Sequence, residues 1–329
     1  MRKSKSQMFM ILGVLIVFSM LFPITSAFAA ADPYPNKPIR LIIPFAPGGS
    51  NDIIGRLIAA KLTDHLGKQV VVENRSGGGS IVGTEVVAKS SPDGYTLLVI
   101  SATFTTTAAL GKLPYDPIKD FTPIAKLGTG PVILTVPDHP SVPAKTVKEL
   151  IALLKQKPGQ LSFACSGAGG INHMAGELFK IMTGTEFKTV QFKGGGPAMI
   201  DQLGGHSQLL FGSSMQAMPH IKSGKFRCLG TGGAKRISTL PNVPTISEIV
   251  PGYEATNLWG ILAPAGTPAP VVDKLTKEIK SILELDEVKK ILMRQGADPD
   301  YLDPSEFGSF IVREITKWTK VVKDANIKL

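Results

Sequence analysis

Apolar residues in this chain fall into short runs with two spacings. Residues 39–43 read Ile-Arg-Leu-Ile-Ile, the composition of a buried parallel strand. Two prolines and two glycines end the run. Ser50-Asn51-Asp52 then supplies a helix N-cap signal, and Ile54, Leu57, Ile58, Leu62 and Leu66 recur at helical spacing. The alternation continues with a strand at 69–74, a Gly-rich loop at 75–80, a helix at 81–89, a Pro92-Asp93-Gly94 turn and a strand at 95–100. Strand and helix in alternation build a parallel α/β sheet with right-handed crossovers. Ser101-Ala102-Thr103-Phe104-Thr105-Thr106-Thr107 follows, read as a hydroxyl-rich loop at a strand's carboxyl end.

Strands are expected at 121–127 and 132–136, and near residue 130 the plan restarts. A helix at 146–155 and a strand at 161–164 lead into Cys165-Ser166-Gly167-Ala168-Gly169-Gly170, with a helix from Ile171. A strand at 189–192 precedes Lys193-Gly194-Gly195-Gly196-Pro197, where Pro197 suits a first helical turn. A strand at 208–211, a helix ending at Lys222 and a strand at 225–230 complete the second unit. Residues 235–254 are Pro-rich and loop-like. One strand at 258–263 and helices at 269–283, 286–295 and 304–325 close the chain, with no further strand. A late strand followed by helices predicts a return to the first unit. The expectation is two α/β lobes, residues 32–128 with 258–329 and residues 129–257, hinged near 129 and 257 around a cleft lined by strand-end loops.

The head of the chain changes the compartment. Arg2, Lys3 and Lys5, an apolar run over 8–22 and the small residues of 26–31 make residues 1–31 a secretory signal peptide, cleaved after Ala29 or Ala31. An uncleaved anchor is disfavoured by the polar, Pro-rich 32–36, and no cysteine stands there to carry a lipid. The expected product is exported to the periplasm. Cleavage takes three positive charges from +10 and leaves +7. Such a balance suits an anionic ligand or an acidic partner. Nucleic acid is not expected, because the basic residues are dispersed and no aromatic-basic module occurs. An oxidising compartment permits a bridge between Cys165 and Cys228, but two buried thiols are the expectation.

Candidate chemistry sits in the loops. Residues 44–52 feed a helix N-terminus, where free N–H groups and the dipole favour an anion, although a turn without a ligand has the same look. Ser50 and Asn51 can face an anion. Asp52 would repel one, so capping or holding the loop is its expected part. Gly167, Gly169 and Gly170 allow close backbone approach, for an anion or for a tight turn, and the helix start at Ile171 favours the anion. Lys193 either pairs with a carboxylate or is simply solvated. His173 is expected to pack. Enzymatic signatures are missing: no Gly-x-Gly-x-x-Gly, no Gly-Lys before Ser or Thr, no Gly-x-Ser-x-Gly, and five histidines without metal-ligand spacing. No metal or cofactor is expected.

Several stretches, in order, resemble one family. They are Ile42-Ile43-Pro44-Phe45-Ala46-Pro47-Gly48-Gly49 with Asp52, Val71-Val72-Glu73-Asn74-Arg75, Pro92-Asp93-Gly94-Tyr95-Thr96-Leu97 and Leu113-Pro114-Tyr115-Asp116. Lys193-Gly194 with Pro197-Ala198, Pro219-His220-Ile221-Lys222-Ser223-Gly224-Lys225 and Leu262-Ala263-Pro264-Ala265-Gly266-Thr267-Pro268 continue the match. The chain is similar to the Bug-type solute-binding proteins, extracytoplasmic receptors of tripartite tricarboxylate transporters. The resemblance implies a two-lobed, periplasmic binding protein-like (Venus flytrap) α/β fold, with two parallel-type sheets, flanking helices and a central cleft. It implies a non-catalytic, monomeric receptor that takes a small organic carboxylate. Its partners would be membrane transporter subunits or, alternatively, a sensor kinase, with an exported enzyme as the remaining rival.

The resemblance also implies a site. Its first loop would be Phe45, Ala46, Pro47, Gly48, Gly49, Ser50, Asn51 and Asp52, and its hydroxyl-rich stretch Ser101, Thr103, Phe104 and Thr105. The second lobe would add Cys165, Ser166, Gly167, Gly169, Gly170, Ile171 and Asn172, with Lys193, Gly212 and Ser213 nearby. Many relatives carry His-Ile-Asn-type polarity where this chain has Phe104-Thr105-Thr106-Thr107, Ser at Cys165, and Phe-Asp-Asn at 211–213. Phe104 would then add an aromatic wall and favour a less polar or aromatic carboxylate.

Overall fold

The first sheet is built outward from β1 (Ile39–Ile43), whose apolar residues are covered on both faces. A computed structural model of the chain describes residues 34–324 and 327; the expected signal peptide lies outside the described residues. β1 runs parallel to β2 (Val70–Asn74) on one side and to β3 (Thr96–Ser101) on the other. All six residues of β3 are buried, the mark of a central parallel strand under helices. α1 (Ser50–Leu66) and α2 (Ile81–Ala88) make the two crossovers.

Beyond β3 the direction changes. β9 (Thr256–Pro264) pairs antiparallel with β3, β4 (Phe121–Pro137) antiparallel with β9, and β10 (Asp298–Leu302) antiparallel with β4 at the edge. The sheet is therefore mixed, not of purely parallel type. A strand at 298–302 was not expected, because Asp298-Pro299-Asp300 carries charge and proline. Both are tolerated on an edge, where one row of backbone groups needs no partner. Asp300 there ion-pairs with Lys126, whose ammonium also lies 4.4 Å from the Phe310 ring centroid.

β4 is one strand where two were expected. Gly128, Gly130 and Pro131 look like breakers, but each has a place in the strand. A side chain at Gly128 would strike the Asp298 carbonyl, and one at Gly130 would press on the Trp259 ring at 3.1 Å. Pairing with β9 ends at Pro131, and from Val132 onward β4 lies between β7 (Leu210–Ser213) and β8 (Phe226–Thr231) of the second sheet. One continuous strand thus carries the chain from one sheet to the other. β5 (Ser162–Cys165) and β6 (Lys188–Gln191) pair in parallel and reach β7 through a Phe163–Leu209 bridge.

α4 (Val147–Gln156), α5 (Ile171–Thr183), α6 (Gly195–Leu203) and α7 (Ser214–Lys222) flank the second sheet. Its core is aromatic. The Phe163 and Phe211 rings meet edge to face with centroids 5.5 Å apart, and Phe179 joins Phe211 at 5.4 Å. The segment 102–110, read as a loop, is the helix α3 (Ala102–Leu110). Its threonines satisfy themselves: the hydroxyls of Thr105 and Thr107 donate to the Ala102 and Thr103 carbonyls at 2.8 and 2.7 Å. α8 (Ala269–Glu284), α9 (Asp286–Arg294) and α10 (Pro304–Asp324) return to the first sheet, α10 packing on α3 and β4.

The joint between α10 and the sheet is tight at Gly260 of β9. A methyl group there would overlap the Phe307 ring and lie 3.1 Å from the Ala125 carbonyl oxygen. Gly260→Ala should therefore cost about 2 kcal/mol, a typical overpacking penalty. Urea unfolding measures it; an unshifted midpoint would show that α10 does not bear on β9 at this point.

Candidate ligand-binding cleft

The turn after β1 is fixed by one carboxylate. Asp52, 6 % exposed, accepts hydrogen bonds from the Gly48 amide, Asn74 Nδ2 and Arg56 Nε, each at 3.0 Å. Burial pushes this carboxyl up, but the bonds from Arg56, Gly48 and Asn74 outweigh it and hold it below the usual carboxylate range. Asn74 Nδ2 also donates to the Phe45 carbonyl at 3.0 Å. Asp52 thus points into the loop it organises and is not among the residues that line the hollow beside it.

That loop faces the second sheet across a small hollow of about 30 Å³. Phe45, Gly49, Ser50 and Asn51 line it from the start of α1, and Ser101 and Thr103 from the start of α3. Ser166, Ile171 and Asn172 line it from the β5–α5 turn, and Ser213 from the end of β7. Three further lining residues, Gly195, Gln216 and Asn257, were missed by sequence reasoning. Gln216 and Asn257 carried a signal: each is a lone amide in an apolar stretch beside a strand end, and a buried amide needs partners.

No lining residue is ionisable. What the walls offer is oriented hydrogen-bonding groups. Asn257 Oδ1 accepts the Ala102 and Leu258 amides, each at 3.0 Å, which leaves Nδ2 as its free donor. Trp259 Nε1 donates to Ser50 Oγ at 3.3 Å, so the Ser50 hydroxyl keeps its proton for another acceptor. Asn51 Nδ2 and Ser213 Oγ are buried with no protein partner. Asn172 and Gln216 spend an amide N–H on the Phe211 and Gly195 carbonyls.

The other expected site residues stand elsewhere. Phe104 is in the core of the first sheet, stacked on Tyr115 and edge-on to Phe121, so it forms no aromatic wall. Thr105 is fully buried within α3. The Cys165 thiol donates to the Gly167 carbonyl at 3.3 Å and is pushed up to about 12 by burial. Cys165 and Cys228 are both free thiols. Gly212 is inside β7 and pairs with Ile133. The loop amides expected to grip an anion are mostly committed: Gly169 donates to His173 Nδ1 at 3.2 Å, Gly170 to the Gly167 carbonyl and Ile171 to Thr103 Oγ1, both at 3.3 Å.

Ala46, Pro47 and Gly48 meet the second sheet's loops directly. The Ala46 amide donates to the Lys193 carbonyl at 3.1 Å, and Gly48 and Gly49 lie against the backbone of Gly195 and Gly196. The Lys193 side chain is exposed, beside a second hollow shared by Gly167 and the 77–80 loop.

Comparison with known proteins agrees with this geometry. Residues 54–327 match the family model described as tripartite tricarboxylate transporter family receptor. The chain is 35 % identical over 316 residues to Protein BugT of Bordetella pertussis, covering 94 % of this chain and 96 % of that protein. Among solved structures it is similar to R. palustris Rpa4515 with adipate (35 % identity, TM-score 0.86, 89 % and 99 % covered). It is also similar to MatC (Rpa3494) from Rhodopseudomonas palustris with bound malate (30 % identity, TM-score 0.83, 88 % and 100 % covered). The chain belongs to the tripartite tricarboxylate transporter receptor family, and is a solute-binding receptor of the two-lobed periplasmic binding protein fold and not an enzyme.

Proposed function

We propose that this receptor is exported to the periplasm, binds a small aliphatic carboxylate in the cleft and delivers it to a membrane transporter. The observation that carries the reading is the cleft wall itself: buried neutral donors from both sheets, with no acidic side chain to repel an anion and no cation to neutralise it. Asn51 Nδ2, Asn257 Nδ2 and the Ser50 and Ser213 hydroxyls are the groups we assign to the ligand. Adipate and malate, held by the two relatives, are small dicarboxylates.

The lobes we assign are residues 32–128 with 258–329 and residues 129–257, hinged where β4 and β9 cross. Closure would bring the glycines at 48, 49, 79, 167 and 194–196 into the contact found here. A methyl group at Gly196 would overlap the Pro47 carbonyl, and one at Gly79 the Ala168 carbonyl. A ligand that touches both walls favours the closed state by its differential affinity.

Asn51→Asp keeps the shape and adds a negative charge. Like charges about 4 Å apart repel by about 4 kcal/mol at an effective dielectric of about 20. Affinity for adipate or malate should fall at least about a hundredfold in calorimetry, with the ligand-free melting temperature little changed; wild-type affinity would remove the anion from this cleft. Gly196→Ala should hold the lobes apart, weakening binding at least about tenfold. Solution scattering should then show no ligand-induced compaction, whereas compaction as in wild type would refute closure through this contact.

A further inference from the structure

We propose that His173 is a positioning residue for the cleft, its neutral imidazole setting the turn between β5 and α5. The proposal rests on the reading that the cleft takes a carboxylate. His173 lies in the first turn of α5, is 6 % exposed and lines no part of the cleft. Its Nδ1 accepts the Gly169 amide at 3.2 Å. A nitrogen that accepts an N–H carries no proton, so the ring proton sits on Nε2. Nε2 lies 3.5 Å from Glu177 Oε1, and Lys180 Nζ holds the same oxygen at 2.7 Å. Residues 173, 177 and 180 share one helix face. Burial pushes the Glu177 carboxyl up, but the bonds from His173 and Lys180 prevail and keep it below the usual range. Glu177 therefore stays an acceptor and fixes which ring nitrogen carries the proton.

The neighbouring elements bring no competing charge to this group. α3 packs on α5 and consists of alanine, threonine, phenylalanine and leucine, and β7 of leucine, phenylalanine, glycine and serine. β5 brings Cys165, pushed up to about 12 by burial, and Tyr253, raised by burial, donates its hydroxyl to the Ala175 carbonyl. Both are neutral around His173.

Gly169 stands midway between Ser166 and Ile171, two cleft-lining residues, and has φ +73°, a left-handed conformation that favours glycine. Gly169 is buried, although Ala168 beside it is exposed. Removing the imidazole leaves that N–H without an acceptor, and the turn must shift to find one. The receptor should thus lose grip when a residue that never touches the ligand loses its acceptor.

The test compares wild type with His173→Asn, which places Oδ1 as many bonds from Cα as Nδ1, and His173→Leu, which has no acceptor. In ¹⁵N-labelled, ligand-free receptor at one fixed pH the Gly169 amide should exchange with solvent at least about tenfold faster in His173→Leu than in wild type, and within threefold of wild type in His173→Asn. Adipate affinity should be within threefold of wild type in His173→Asn and about tenfold weaker in His173→Leu. Equal Gly169 exchange in wild type and His173→Leu, or wild-type affinity in His173→Leu, overturns the proposal. If wild type binds neither adipate nor malate, the carboxylate reading fails, and the Gly169 exchange decides the positioning role on its own.

Discussion

The site depends on two sets of loops meeting backbone against backbone. The turn after β1 reaches the turn before α6 closely enough for the Ala46 amide to bond the Lys193 carbonyl at 3.1 Å. Gly196 leaves no room for a side chain at that contact, where a methyl group would overlap the Pro47 carbonyl. This approach narrows a small polar hollow, and away from bulk water hydrogen bonds are stronger and an unpaired polar group is costly. The hollow's selectivity follows: whatever enters must satisfy Asn51 and Ser213, which have no protein partner. The Asp52 knot is the support behind it, because the turn after β1 can present its backbone only while Gly48 and Phe45 are tied through Asp52 and Asn74.

Much of this was legible in the sequence. The Ile-rich run, the Pro-Gly break and the Ser-Asn-Asp cap at 50–52 define the strand, turn and helix where they are found, because each is set by local chemistry. Asp52 was readable as a loop holder on charge alone. What failed depended on contacts distant in sequence. Gly128 and Gly130 mark close approach of Asp298 and Trp259, so a run of small residues that looks like a break is the middle of a strand. The threonines of 103–107 suggested a loop because β-branched hydroxyl residues are modest helix formers, yet back-bonding to α3 carbonyls and packing on α10 override that preference. Phe104 was misplaced for the same reason: on a loop it would face the cleft, and on a helix it turns toward Tyr115 and Phe121. Asn257 is separated from Ser101 by more than 150 residues, and only the antiparallel β3–β9 register brings them to one wall.

A receptor that captures an anion without a cation separates attraction from grip. The formal charge, +10 for the whole chain and +7 without residues 1–31, comes from lysines and arginines scattered over the chain, and many are exposed. Such a field draws anions at long range and is screened by salt. Within the cleft a buried lysine or arginine would bind any carboxylate and would itself pay desolvation when the site stood empty. Neutral amides and hydroxyls incur far less of that cost. They also discriminate by direction: a donor fixed as Asn257 Nδ2 is fixed, by two backbone amides on its oxygen, rewards only a ligand whose oxygen lies on its axis. If the ligand sits in this cleft as proposed, release would require only that the loops part, because no ion pair would have to be broken in a low-dielectric pocket. The neutrality of the walls and the glycine contact around them are therefore two parts of one solution to reversible capture.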